Sequence, residues 1–439
     1  MKKKGCLVNY FPVVFIAICL LFTFSYSAGD LPRQSKVFGE PGNIRVHPYL
    51  FNGFSRKNLS RMRSSSPYGY SILNCGSNKI DTLKIIALRV EFKIDSSYNT
   101  TGNGLFGIFR TSKGTREDRN EWEYYNNKSY VYDNLPHDSL YFANQLEFVK
   151  SYFRKVSNGK LFIDYTLYPK GKDEEHAYKV PDKMPKYSPG AKKSKESWDD
   201  YYLRRTVGLM KFVRDAIRAS DADPDSPFQN LVIDQSTGHN IIYEQTVDTV
   251  TNDTTRTRAA ILVFHAGASY LTDGGWDGYF GQDTPSDMID AFVYDEFFNY
   301  FANDTSIGLD TMSGFAGILV NKNAANQMII DEVMMVSETS NQDSLNWGIH
   351  GIMVNQVARQ IGIPDLFATM SGISGIGGFC IMDFAGYSSG RGFIPPWPSA
   401  WVRAYMGWDS PKIIQPGNLK TVANLTSIST AEPNDTSIL

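Results

Sequence analysis

The chain has 439 residues, 42% hydrophobic and 13% aromatic, enough for one large domain or two ordinary ones and incompatible with intrinsic disorder. Lys and Arg total 44 against 46 Asp and Glu, with no arginine-rich tract. A nucleic-acid binder held by phosphate neutralisation leaves a basic footprint, so that class is excluded.

Lys2, Lys3 and Lys4, an apolar run over 11–24 and small residues at Ser25, Ser27 and Ala28 have the layout of a secretory signal peptide over 1–27, cleaved near Ser27. The rival reading is an uncleaved anchor. The run is about fourteen residues long and carries Pro12 near its start, short of the roughly twenty a spanning helix needs. Cys6 and Cys19 lie in no lipoprotein box, and no other segment is apolar enough to span a bilayer. The expectation is a secreted protein, extracellular or at the cell surface, with no membrane span after cleavage. Removing 1–27 takes away three lysines and no acid, so the formal charge becomes −5, and only Cys75 and Cys380 remain. One bridge between them is permitted in an oxidising compartment; a disulfide scaffold is not.

Residues 28–82 are irregular and locally basic, with Arg56, Lys57, Arg61 and Arg63 ahead of three serines, and read as a leader or pro-segment. Residues 83–412 read as one mixed α/β domain without internal repeats. Its first element, 83–92 (LKIIALRVEF), is a buried strand, followed by a polar loop over 98–128. Phe142, Leu146, Val149, Phe153 and Val156 recur at helical spacing, and Asn158-Gly159 supplies a left-handed stop before an alternating strand over 161–167. The lysine-rich stretch 170–200 reads as a solvated loop, and Leu203, Val207, Met210, Val213 and Ile217 mark a second helix. Asp221, Asp223 and Asp225 alternate as Ca²⁺ ligands can, but Pro224 and the lack of a turn glycine and terminal glutamate favour a capped turn. A strand over 259–264 runs into His265-Ala266-Gly267 and then a Gly- and Asp-rich loop through 281; 318–320, 328–330 and 333–336 supply further strands. Residues 413–439 read as the start of a C-terminal β segment, with a strand-like stretch at 421–428.

Residues 349–361 (IHGIMVNQVARQI) form a largely buried helix closed by Gly362 with Pro364 beyond. Asn355 and Arg359 stand one turn apart on one face, with Gln356 beside them. Buried polar groups need partners, and the first acid downstream is Asp365, so Arg359 is expected to pair with it as an ionic fork.

These residues carry a resemblance. NQVARQIGIPDLF over 355–367, His265-Ala266-Gly267, Ile381-Met382-Asp383, Pro395-Pro396-Trp397 and Met406-Gly407-Trp408 resemble the immune inhibitor A family of secreted zinc metallopeptidases. So does the segment 149–162, with Tyr152 and Ser157-Asn158-Gly159-Lys160. The resemblance spans roughly 83–412 and implies an α/β (α+β) domain of zincin or metzincin-like catalytic type, with a mixed sheet, a zinc-motif helix and a methionine turn. The family's helix reads H-E-x-x-H-x-x-G-x-x-D: two histidines and the aspartate hold zinc, and the glutamate activates water. Here Asn355 and Arg359 stand at the histidine positions and Gln356 at the glutamate, while Gly362 and Asp365 match and Met382 takes the place of the methionine floor.

Asparagine offers a neutral amide oxygen, glutamine accepts no proton near neutral pH, and arginine remains cationic where the metal would sit. One ligand and no general base remain, so no cofactor is expected, although the family implies zinc. His265, His350 and Asp383 are candidates to line the old cleft, and with Asp365 to form a surrogate metal site. The 372–378 stretch (GISGIGG) does not open a helix after a strand, so it reads as a cleft loop and not a phosphate cradle. Cys75 stands where a pro-segment thiolate could cap a metal, or is simply structural. The leading expectation is a pseudopeptidase that acts by binding an extracellular protein, peptide or glycoprotein, or by structure. The alternatives are an active secreted zinc metalloendopeptidase and a surface structural protein.

Overall fold

The computed structural model describes residues 81–97, 99–107, 136–171, 176–236, 239–273, 284–322, 324–340, 347–367, 374–383 and 392–409. The signal peptide, the leader up to residue 80 with Cys75, most of the 98–128 loop and the 413–439 segment lie outside the described residues, while the last two leader residues, 81 and 82, belong to the first strand.

The first strand, β1 (Asp81–Glu91), is buried from Leu83 onward. Strands covered on both faces read as continuous apolar runs, and this one is interior to its sheet. It pairs in parallel with β2 (Leu161–Tyr168) on one side and β6 (Thr254–Ala268) on the other. Beyond β6 lie β11 (Val333–Thr339), again parallel, and β7 (Ala291–Val293), antiparallel, giving the order β2-β1-β6-β11-β7. The short β3 (Tyr178–Lys179) continues the β2 side of β1, and β4 (Leu231–Asp234) and β5 (Ile241–Val247) form a hairpin on the first half of β6. A separate three-stranded sheet is built from β8 (Asp310–Met312), β9 (Phe315–Val320) and β10 (Met328–Ile330). The mixed sheet with several helices bears out the α+β expectation.

Helix α1 (Ser139–Val156) buries the five positions its spacing marks and is capped by Asp138, whose carboxylate accepts the Tyr141 N–H at 2.9 Å. It stops where expected: Asn158 has φ 54° and Gly159 φ 75°, and the Gly159 N–H returns to the Arg154 carbonyl at 2.8 Å. The other helices are α2 (Met184–Tyr187), α3 (Trp198–Asp221), α4 (Asp295–Tyr300), α5 (His350–Gln360) and α6 (Ala400–Tyr405). Helix α1 packs on β2 and on α5, and α5 packs on β11 and β7, so these two helices share a layer.

Three sequence expectations are corrected. The 170–200 stretch is not all loop, because it holds β3 and α2, with Tyr178, Met184 and Tyr187 in the core. Helix α3 begins five residues before Leu203, capped by Ser197 and anchored by Trp198 against Tyr201 and Tyr202; Leu203 itself is exposed. The strand expected over 259–264 runs from Thr254 through His265-Ala266-Gly267, because its polar start pairs with β5 and its end with β11. Among the described residues no helix is long and apolar enough to cross a membrane.

Candidate functional site

Every residue from Gly351 to Gln360 of α5 is buried, so its polar side chains answer to the protein and not to solvent. The helix closes as expected, with Gly362 at φ 88° and the Ile363 N–H returning to the Ala358 carbonyl at 3.0 Å. Beyond Pro364 the chain meets the later segment, the Leu366 N–H donating to the Met382 carbonyl at 2.9 Å. That bond brings Asp365 and Met382 beneath the polar face of α5.

Asn355 Nδ2 donates to the Ile381 carbonyl at 2.9 Å and lies 3.9 Å from the Met382 Sδ. Met382 therefore lies against residue 355. Arg359 pairs with Asp365: Nε and Nη2 donate to Oδ1 at 3.1 and 3.0 Å, with both side chains only 3% exposed. The expected ion pair is present, though both donors converge on one oxygen where a fork-to-fork pair was expected. The Gln356 carboxamide is fully buried, and neither its oxygen nor its nitrogen has a partner in the protein; the Asn355 oxygen is likewise unpartnered. Such groups cost free energy unless a donor or acceptor meets them.

Asp383 is explained by the glycine-rich segment. Its Oδ2 accepts the N–H groups of Gly375 at 2.9 Å, Gly377 at 3.0 Å and Ile376. A Cβ at Gly375 would stand 2.6 Å from the Leu366 carbonyl oxygen, so the wrap requires glycine there. The N–H cradle that might suggest phosphate is filled by the protein's own carboxylate. Gly372 and Ile373 lie outside the described residues.

The histidines do not converge on this face. His265 is fully buried with its ring against Phe92 and Phe212, at centroid distances of 6.3 and 6.0 Å, and lines no cleft. Burial holds its pKa down at about 4, so it is neutral. His350 opens α5, stacks on Phe148 at 3.8 Å and has Nδ1 3.1 Å from the Phe393 carbonyl; burial again lowers its pKa. Asp221, Asp223 and Asp225 form the capped turn. Asp223 accepts the Asp225 N–H and the Tyr178 hydroxyl, and Asp221 accepts the Asn321 N–H. Among the described residues no group of three or more His, Cys, Asp or Glu is placed to hold a metal. Cys380 is a free, buried thiol, while Cys75 lies outside the described residues.

Sequence reasoning missed two features near this layer. Glu338 on β11 is 2% exposed and accepts from the Gly107 N–H at 2.6 Å and the Gly267 N–H at 2.9 Å, with His137 Nδ1 at 2.6 Å from the same carboxylate. Beside the N-terminal end of α5, a cavity of about 20 Å³ is lined by Ser269, Asp290, Ser340, Trp347 and Ile352, room for about one water. Burial pushes the Asp290 pKa up to about 6.

Two further segments of the resemblance, 149–162 and 395–408, meet in space. Tyr152 donates to the Pro396 carbonyl at 2.6 Å, Asn158 Nδ2 reaches Asp409 Oδ1 at 2.7 Å, and Lys160 Nζ reaches the Gly407 carbonyl at 2.6 Å. A scan of protein-family models and a search of curated proteins give no match to the chain.

The residues at the positions the resemblance aligns with a metal motif do not fit zinc. Arg359 is already bound to Asp365, and the Asn355 amide donates to a backbone carbonyl. Gln356, which the resemblance aligns with the general base, accepts no proton near neutral pH. Because its amide is buried without a protein partner, Gln356→Met is expected to raise stability by about 1 kcal/mol, measured by urea unfolding. A loss of similar size would reveal a bound water or other partner at that amide.

Proposed function

We propose that the chain is a secreted, zincin-like domain related to the immune inhibitor A metallopeptidases, in which an internal ion pair stands in for the metal centre. On this reading it is a pseudopeptidase that acts by binding an extracellular protein, peptide or glycoprotein. The observation that carries it is the Arg359–Asp365 pair, nearly shut from solvent and formed by two residues that the resemblance aligns with metal ligands. A buried cation satisfied by the retained carboxylate leaves no charge for a metal to neutralise. The reading draws further on the contacts that link Tyr152 with Pro396 and Lys160 with Gly407, which put these segments of the resemblance side by side.

Elemental analysis of the purified secreted protein tests it. Substoichiometric zinc, no chelator-sensitive cleavage of an unfolded protein and no fall in melting temperature with EDTA are expected. About one tightly held zinc per chain together with EDTA-sensitive cleavage would establish the active metalloendopeptidase instead. Failure to bind any member of a peptide, mucin and glycan panel would favour a purely structural surface protein.

A further inference from the structure

Away from the motif face, near the C-terminal end of α5, two acidic segments meet a polar one. Asp331 and Glu332 lead into β11, Asp295 and Glu296 open α4, and His239 and Asn240 precede β5. Asn240 Nδ2 donates to Asp331 Oδ2 at 2.6 Å, Gln360 Nε2 of α5 donates to Glu332 Oε2 at 2.9 Å, and His239 Nδ1 lies 3.3 Å from Asp295 Oδ2. One oxygen each of Asp331, Asp295 and Gln360 has no partner. The cation facing Glu332 is Arg258 of β6, only 7% exposed, with Nε and Nη1 unpartnered. Tyr243 of β5 faces this arginine, and Tyr294 meets Glu296. Arg258 faces Glu332 and His239 lies by Asp295 and Glu332, while the Asp295 charge acts on Asp331, Glu332 and Glu296 alike, so ionising those three adds net repulsion.

We propose that this cluster is a pH-sensitive latch: while Asp331, Glu332 and Glu296 hold protons it fastens α4 and the end of α5 to the sheet, and as they ionise it loosens both. The proposal stands apart from the reading of the motif face. Its direction follows from the environments. Burial is the largest cause raising Asp331 well above the usual carboxyl range, raising Glu332, and pushing Glu296 up to about 7, with the Asp295 charge adding to the last. A group whose folded pKa is raised binds more protons folded than unfolded, so stability is greatest below its ordinary pKa of about 4 and is lost as pH climbs through the folded value.

The test is the melting temperature of the full chain from pH 5.5 to 8, with hydrogen exchange corrected for intrinsic rates. A fall of about 5 °C is expected, with exchange rising first in 295–300 and 350–360. Asp287, Asp290 and Glu91 are also buried acids, so variants assign the effect. Glu296→Gln and Glu332→Gln, which keep shape and acceptor, should each recover about 2 °C of that fall and protect those helices at pH 8. A flat or rising profile, an unchanged fall in both variants, or exchange that rises elsewhere first would overturn the latch.

Discussion

Asp365→Ala is expected to destabilise the domain by about 3–5 kcal/mol in urea unfolding, the scale for orphaning one member of a buried pair. The size follows from burial. Arg359 and Asp365 side chains are both 3% exposed, so the guanidinium left behind cannot turn to water without unpacking the end of α5. A surface pair broken in the same way would cost about 0–1 kcal/mol. The double substitution Arg359→Met with Asp365→Leu should cost less than Asp365→Ala alone, because apolar replacement removes both desolvation costs together. A single-mutant loss below about 1 kcal/mol would show that the pair is screened, and would remove the argument that it replaces a metal.

That pair could be read in the sequence because its partners stand six residues apart across a helix end, where glycine and proline fix the turn. Local signals served equally well for α1, whose five apolar positions and Asn158-Gly159 stop carry their own geometry. Legibility faded where a side chain's partner is remote. His265 sits in a run that could equally have ended at the strand's tip; only the pairing of β6 with β11 shows it sealed among Phe92 and Phe212. Glu338 looks like a solvated acid at a strand end, and its partner His137 lies 201 residues away. The latch residues come from five segments, none unusual alone. Asp383 was seen beside Met382, but its role in holding Gly375 to Gly377 depends on three backbone N–H groups whose direction no residue type reveals.

The reverse substitution asks whether the motif face is a metal site with its ligands exchanged. Asn355→His, Gln356→Glu and Arg359→His together place two imidazoles one helical turn apart with a carboxylate between them, and free Asp365 from its guanidinium partner. The surrounding geometry favours this result: position 355 already faces Met382, and position 359 already reaches Asp365. The triple variant is expected to bind about one zinc per chain and to cleave an unfolded protein slowly, while the natural protein does neither under the same conditions. Activity should be weak, because partners that orient ligand histidines are absent from a site built around Asn355 and Arg359, and losing them costs roughly 10- to 100-fold. Zinc uptake without cleavage would mean that the face keeps a metal geometry while the substrate cleft has moved to another ligand. A folded triple variant that takes up no zinc would break the correspondence between α5 and a metal helix, and with it the family reading on which the proposed function rests.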